Sequence, residues 1–251
     1  MTEQNLKGIS AIVTGGSRGI GKGIALAFAA QGADVAFNHY KDSERAAATV
    51  KEIEAMGRRA FAAECDVSQP KAVAAFYADA VKALGDIGVL VNNAGHNITQ
   101  NFEDITEENF DRMLDVHVKG TFFMTQAVYR DMKKRNAGRI INITSQLAYK
   151  GAGTLTHYCA AKGANGAFTR ALALECAETG IRVNAVAPGV THTDLLTPLS
   201  KELLDTLKQA IPMHRFGEVD EITPAVVLLA SPGGSFFHGS CISPNGGEVM
   251  W

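Results

Sequence analysis

Tyr158 and Lys162 stand four positions apart in a stretch, Thr156 to Thr179, whose pattern predicts a helix, so the two side chains share one helical face. A free phenol, with a pKa near ~10, is a poor base at neutral pH. An ammonium one turn away favours the phenolate, each tenfold gain in acidity being worth about 1.4 kcal/mol, so the pair predicts a lowered phenol pKa. Such a phenol can protonate a carbonyl oxygen as the carbon is reduced, or take the proton of an alcohol as it is oxidised, a role worth roughly 10²–10⁴-fold in rate. Ser145, thirteen positions before Tyr158, closes a predicted strand and is suited to donate a hydrogen bond to the same oxygen.

A second chemical feature opens the chain. A short apolar strand runs into Thr14-Gly15-Gly16-Ser17-Arg18-Gly19-Ile20-Gly21, and a helical pattern starts at once. Gly15 suits a tight turn, Gly19 lets backbone amides approach a pyrophosphate, and Gly21 allows close packing of helix on strand, with the helix N-terminus facing the anion. Ser17, Arg18 and Ile20 lie inside this turn and belong to the same expected dinucleotide cradle.

These groups need a scaffold, and the pattern supplies one. Short apolar runs at Ile9–Thr14, Asp34–Asn38, Ala60–Cys65, Val89–Asn92, Arg139–Thr144, Arg182–Ala187 and Ser240–Ser243 alternate with helical patterns at Ile20–Gln31, Ser43–Met56, Lys71–Leu84, Glu107–Arg135, Thr156–Thr179 and Glu221–Ala230. Alternation of this kind predicts an α/β fold, a doubly wound parallel sheet with helices on both faces. In that architecture ligands collect outside the carboxyl ends of the strands. The 251 residues contain no linker-like or repeated segment, so residues 1–251 are expected to form one domain.

The spacing TGxxxGxG, with Asn92-Asn93-Ala94-Gly95 after the fourth strand, Ser145 after the fifth, Tyr158-Cys159-Ala160-Ala161-Lys162 as YxxxK and Pro188-Gly189 after the sixth, resembles the short-chain dehydrogenase/reductase family. The resemblance covers residues 8–249 and is nearest to its 3-oxoacyl-acyl-carrier-protein reductase and glucose dehydrogenase-like members. It implies a Rossmann-type sheet of seven strands in the order 3-2-1-4-5-6-7 and hydride transfer between a nicotinamide and a carbonyl/alcohol pair. Ser145, Tyr158 and Lys162 are then catalytic, Lys162 also holding the nicotinamide ribose. Asn93, Ala94 and Gly95, Asp66 and Val67, and Pro188, Gly189, Val190 and Thr193 are cofactor contacts. The family's fourth catalytic position, usually Asn in NVNxxG, is His117 here, within Asp115-Val116-His117-Val118-Lys119-Gly120. A part in proton relay and a hydrogen-bonded helix histidine both remain open for it.

Cofactor choice turns on the end of the second strand, where a carboxylate would bind the ribose hydroxyls of NAD(H) and repel the extra phosphate of NADP(H). The chain reads Asn38-His39-Tyr40-Lys41 there, with His39 at the position where NAD-using relatives commonly carry Asp. Arg18 matches a basic position that NADP-using relatives turn toward the 2′-phosphate, and Lys41 can assist. NADP(H) is therefore expected ahead of NAD(H), with dual use left open by Tyr40. Substrate contacts are expected from His96, Gln146, Leu147, His157 and His192, a polar set that suits a keto-sugar, keto-acid or polyol. A lid is expected over residues 190–215.

Two rivals stand beside this reading. A 3-oxoacyl-acyl-carrier-protein reductase would offer basic residues to an acidic carrier, whereas the matching positions are Asn136 and Thr179, with Arg135 and Arg139 near enough to substitute. A redox sensor would bind dinucleotide without turnover. A net charge of -2 leaves no basic excess for nucleic acid. The polar start MTEQNLKG and the glycine-broken apolar stretch after it fit neither a signal peptide nor a membrane span, so a cytoplasmic location is expected. Cys65, Cys159, Cys176 and Cys241 form no CxxC pair, and neither a metal nor a disulfide framework is expected. The apolar, Gly-rich tail Ser240–Trp251 packs between subunits in related enzymes, which implies a homotetramer.

Overall fold

The computed structural model describes residues 5–250; Trp251, whose packing entered the expectation of a tetramer, lies outside them. Seven parallel strands form one sheet: β1 (Ser10–Val13), β2 (Asp34–His39), β3 (Ala60–Glu64), β4 (Ile87–Asn92), β5 (Gly138–Ile143), β6 (Ile181–Val186) and β7 (Cys241–Ile242). Their order is β3-β2-β1-β4-β5-β6-β7, as the family resemblance implied. Helices α1 (Gly19–Ala30), α2 (Ser43–Ala55), α3 (Pro70–Leu84), α4 (Glu107–Leu114), α5 (Gly120–Arg135), α6 (Leu147–Lys150), α7 (Thr156–Glu175), α8 (Lys201–Ala210) and α9 (Val219–Ala230) connect them.

Parallel strands covered on both faces read as continuous apolar runs, and successive residues serve opposite faces. In β1, Ala11 and Val13 join a core with Ile24 and Phe28 of α1 and Ile222, Val226 and Leu229 of α9. Ile12 between them joins the opposite core, with Phe76 of α3, Val128 and Met132 of α5 and Leu172 of α7. Strand order reverses at β1, which pairs with β2 on one side and β4 on the other. The crevice outside β1 and β4 is thus the topological switch point.

Besides the short α6 and α8, which the sequence reading did not include, the α4–α5 segment and the last helix differ from it. The helix expected over Glu107–Arg135 is two helices joined by a π-helical turn, Asp115–Lys119. The cause is tertiary: Asn165 Nδ2, from α7, donates to the backbone carbonyl of His117 at 3.0 Å and supplies a partner from outside the helix. Side-chain insertion of this kind opens the i→i−4 ladder, and π turns cluster at functional sites. The last helix begins at Val219 rather than Glu221, because Glu218 and Glu221 close a capping box around its first turn. Between β6 and α9, residues 194–215 contain a short 3-10 turn and α8, and Thr191 makes an isolated parallel bridge with Gly217 at their base.

Candidate active site

The end of β1 and the end of β4 are tied together by Thr14. Its hydroxyl accepts from the backbone N–H groups of Asn93 at 2.8 Å and Ala94 at 2.9 Å, and Asn93 Nδ2 returns a bond to the Thr14 carbonyl at 2.9 Å. Against this clamp the glycine turn is packed with no room for side chains. A Cβ on Gly21 would lie 2.1 Å from the Gly15 carbonyl oxygen, so Gly21 is required by the turn itself as well as by helix packing. Gly15 and Gly19 adopt φ +68 and +54, open to glycine and strained for other residues. The N-terminus of α1 has no side-chain cap, which leaves its first amides for an anion. Thr193 lies over this turn, its methyl 3.5 Å from where a Gly19 Cβ would stand.

At the far end of the cradle, His39 closes β2 and is buried, with Nδ1 lacking a partner among the described residues. Tyr40 is half exposed, and Lys41 and the Arg112 guanidinium lie 5.1 and 5.5 Å from its ring centroid. Arg112, which the sequence reading did not single out, also bonds Asp66 at 2.9 Å. Burial opposes charge on Asp66, but hydrogen bonds from Ser68 and Arg112 outweigh it and hold the carboxyl below its usual value. Val67 is buried against Gly120. Arg18 is exposed at the head of α1. A carboxylate does approach this region from beyond β2: Asp42 Oδ2 accepts from the Ser17 hydroxyl at 2.7 Å.

The reactive groups meet where β4, β5 and α7 converge. Ser145 is buried just past β5, its Oγ accepting from Leu147 N at 3.1 Å, and it stands close enough to the Tyr158 phenol to favour its ionised form. Lys162 is buried one turn along α7 from Tyr158; its Nζ donates to the Ile143 carbonyl at 2.8 Å and lies 5.7 Å from the Tyr158 ring centroid. Here the electrostatics correct the sequence reading. Burial pushes the Tyr158 phenol up to about 12, and Ser145 pulls only partly against it. Burial likewise lowers Lys162 to about 8. Near neutrality the pair is a neutral phenol beside an ammonium, a proton donor rather than a ready-made phenolate, because desolvation exceeds the pull of a cation aimed at a carbonyl.

His117 stands edge-on to Tyr158, with ring centroids 5.4 Å apart, and sits 5.5 Å from the ring of His96. Its Nε2 meets the backbone carbonyl of His96 at 2.8 Å. The His96 N–H also approaches Nε2, at 3.2 Å, but the shorter contact to the carbonyl requires a proton on Nε2; with that tautomer Nδ1 is an acceptor, buried and without a partner among the described residues. Burial, aided by the charge of Lys162, holds His117 well below the usual histidine pKa, so it is neutral. A Cβ on Gly95 would lie 2.3 Å from its Cε1, which explains the glycine that closes Asn92-Asn93-Ala94-Gly95.

Gln146 and His157 are buried beside Ser145 and Tyr158, His96 is half-buried and Leu147 opens α6. Burial lowers the pKa of both His96 and His157. His192 is not part of this group: half exposed at the base of residues 194–215, its Nδ1 lies 2.5 Å from Glu218 and its ring stands edge-on to Phe216. Pro188 accepts from Gln146 N at 3.1 Å, Gly189 N donates to the Pro244 carbonyl at 3.0 Å, and Val190 accepts from Gly217 N at 2.9 Å. The sequence held one further signal: Tyr158, Lys162, Asn165 and Thr169 follow i, i+4, i+7, i+11, a polar stripe along one face of α7. Its last two members close a buried chain, Asn92 to Asn142 at 2.8 Å, Asn142 to Thr169 at 2.9 Å and Thr169 to the Asn165 carbonyl at 2.8 Å. Arg112 and Glu248 carried no such local signal.

Known proteins are similar to this chain in sequence and fold. The family model for short chain dehydrogenases matches residues 10–204. A 3-oxoacyl-acyl-carrier-protein reductase of Staphylococcus epidermidis is 38% identical over 241 residues, covering 96% of this chain and 99% of the relative. Among solved structures, a blue fluorescent protein from a metagenomic library, in complex with NADPH, is 37% identical with TM-score 0.92, covering 98% of this chain and 100% of its own. A short chain dehydrogenase from Burkholderia cenocepacia, in complex with NADP, is 36% identical with TM-score 0.91, covering 97% and 99%.

Proposed function

The chain belongs to the short-chain dehydrogenase/reductase family, and from that premise we propose that it is an NADP(H)-dependent oxidoreductase that moves a hydride between nicotinamide and a small polar carbonyl/alcohol pair. The observation that carries this reading is the meeting of Tyr158 with the buried Lys162 ammonium, 5.7 Å from its ring centroid, at the end of β5 where the buried Ser145 stands. The residues fit the cofactor: an uncapped helix N-terminus, a glycine turn that a Cβ would fill, and, at the end of β2, the buried His39 with an unpartnered Nδ1. The turn from Gly15 to Gly21 would hold the pyrophosphate, Asp66 and Val67 the adenine, and Asn93, Lys162, Gly189 and Thr193 the nicotinamide end. Bound there, the nicotinamide supplies or accepts the hydride.

The protein's own part is proton management. Ser145 donates a hydrogen bond to the substrate oxygen, and the neutral Tyr158 phenol donates the proton that oxygen needs as the carbon is reduced. Lys162, charged below pH 8 or so, stabilises the phenolate left behind. His117, neutral with Nδ1 an unpartnered acceptor, is suited to hold a water or hydroxyl at the edge of Tyr158. Gln146, His157 and His96 bring amide and imidazole groups to the substrate side, in keeping with a keto-sugar, keto-acid or polyol.

NADP(H) over NAD(H) is supported by the NADP- and NADPH-bound relatives and by Arg18 and Lys41 at the mouth of the cradle, against the carboxylate of Asp42. Arg18→Ala is expected to raise the KM for NADPH at least tenfold while leaving that for NADH within about twofold, since an exposed guanidinium on a phosphate contributes on the order of 1.5–3 kcal/mol. Equal effects on the two cofactors would reject the preference. In keeping with the family, the working unit is proposed to be a homotetramer in the cytoplasm, with residues 190–215 as its lid. Among the described residues no helix is long and apolar enough to cross a membrane.

The second reading, a 3-oxoacyl-acyl-carrier-protein reductase, is favoured by the 38% identical relatives that carry that name. Weighing against it, Asn136 and Thr179 are engaged within the chain, bonding Gly180 N and the Cys176 carbonyl. Arg135 is held by the Ile87 carbonyl and Asp86, and Arg139 by the carbonyls of Gly138 and Gly180. A panel of sugars, keto-acids, diketones and 3-oxoacyl thioesters, run with NADPH and NADH in parallel, separates the readings. Preference for acyl-carrier thioesters promotes the second reading, and cofactor binding without any turnover rejects both in favour of a sensor.

A further inference from the structure

Glu248 belongs to no motif and lies 102 residues from Gln146, yet the two meet beside the reactive groups. The tail reaches this position through a built path. Gly189 leaves no room for a side chain, a Cβ there falling 2.7 Å from Asn245 Cα. Gly246 and Gly247 turn the chain with φ +66 and +86. Asn245 pins the turn, its Oδ1 accepting from Gly247 N at 2.8 Å and its Nδ2 donating to the Val249 carbonyl at 2.8 Å. The Glu248 side chain is then only 5% exposed, and its two oxygens accept from Gln146 Nε2 and from Lys150 Nζ.

The consequence is orientation. A carboxylate only accepts, so it forces the Gln146 amide to present its NH₂ to Glu248 and leaves Oε1 on the other side, buried and without a partner among the described residues. Gln146 directly follows Ser145, and its backbone is tied both to the segment that follows β6 and to the start of α6. Its N–H donates to Pro188, and its carbonyl accepts from Tyr149 and Lys150 as α6 begins. Ser145 Oγ, in turn, accepts from Leu147 N in the same turn. A buried, charge-assisted bond at Gln146 therefore restrains the segment that aims the Ser145 hydroxyl.

We propose that Glu248 is a positioning residue for the reaction: its carboxylate locks the Gln146 amide and the Lys150 ammonium, and through them the turn that carries Ser145. The inference rests on the oxidoreductase reading above, and its tests are chosen to separate the two. With NADPH and the best carbonyl of the panel, Glu248→Ala is expected to lower kcat at least tenfold while the KM for NADPH stays within twofold. Gln146→Glu, which sets two carboxylates against each other, is expected to lose at least as much. The exchange Gln146→Glu with Glu248→Gln restores an amide–carboxylate pair and is expected to recover kcat to within about fivefold of the parent, which loss of folding in either single variant could not mimic.

Hydrogen exchange supplies a readout that needs no turnover. In Glu248→Ala the amides of residues 147–151 are expected to exchange at least tenfold faster, with those of β1 and β4 unchanged. Unchanged exchange at residues 147–151, an unaltered kcat in Glu248→Ala, or an exchange variant no better than Gln146→Glu alone each overturns the proposal. A parent that oxidises no NADPH with any carbonyl overturns the oxidoreductase reading instead, and the exchange measurement still decides the role of Glu248.

Discussion

Lys162 is the residue at which stability and function are opposed. Its ammonium is buried, and its pKa falls from 10.5 to about 8, a cost of about 3 kcal/mol to the folded state. The folded value lies below the unfolded one, so the unfolded chain binds more protons between pH 8 and 10.5 and stability rises with pH across that window. Below pH 8 both states are protonated and the cost is present in full. Urea unfolding of the parent at pH 7.5 and 9.5 should therefore show a gain of about 1–2 kcal/mol relative to the same pair of measurements on Lys162→Met. Identical pH dependence in the two proteins would mean that the lysine titrates normally. Carbonyl reduction should decline over the same rise in pH, as the ammonium beside Tyr158 loses its proton.

His117 makes a contrasting prediction at the same scale. Burial, the nearby Lys162 and the rings of His96 and His157 all keep it neutral, although its bond to the His96 carbonyl acts in the other direction. Its side chain then serves as a fixed acceptor, which an amide oxygen can imitate. His117→Asn, the residue usual in the family, is expected to keep kcat within about threefold, and neither protein should show an inflection near pH 6.5 in kcat. A tenfold loss in the variant, or an inflection confined to the parent, would give the imidazole a titrating role.

At the scale of elements, the π turn is the part of the fold that sequence patterning missed. Periodicity across Glu107–Arg135 is helical on both sides of the turn, so a one-dimensional reading joins α4 to α5. What breaks the helix is a side chain 48 residues away, Asn165, reaching the His117 carbonyl. Asn165→Leu removes that donor without changing the size of the side chain much. Leaving the carbonyl buried and unpaired should cost about 1–3 kcal/mol in urea unfolding, and kcat should fall more than the KM values as His117 shifts against Tyr158. Unchanged stability would show that the turn holds itself.

The same contrast separates what was legible from what was not. The strands, the glycine turn and the Tyr158–Lys162 spacing are local patterns with local causes, and the structure reproduces each of them. The lowered phenol pKa was a wrong expectation, because spacing reports that two side chains are neighbours and says nothing of how far burial opposes charge. Arg112 on Asp66, Asp42 on Ser17 and Glu248 on Gln146 join segments 25 to 102 residues apart, and no periodicity encodes such pairs. His192 was grouped with the substrate contacts from its position after Pro188-Gly189, but the bridge between Thr191 and Gly217 turns that segment toward Glu218.

Several large apolar side chains lie on the surface of the chain. Phe102, Leu174, Phe236 and Met250 are 75%, 79%, 101% and 80% exposed, and half-exposed Phe122 of α5 forms ring contacts with Phe123 and with Phe168 of α7. Scattered apolar residues are ordinary on a soluble surface, whereas a cluster of three aromatic rings across two helices is the kind of patch that marks an interface. A self-complementary interface on such a face would bury on the order of 1,600 Å² per pair, and a second one would build the proposed tetramer by two-fold symmetry. Sedimentation velocity at micromolar concentration should then give one species near four times the 26.6 kDa chain mass. Phe122→Asp, on a surface position that leaves both cores untouched, should shift it to smaller species with the far-UV circular dichroism unchanged. A parent that sediments as a monomer would place the active site wholly within one chain and leave the exposed rings without a partner of their own kind.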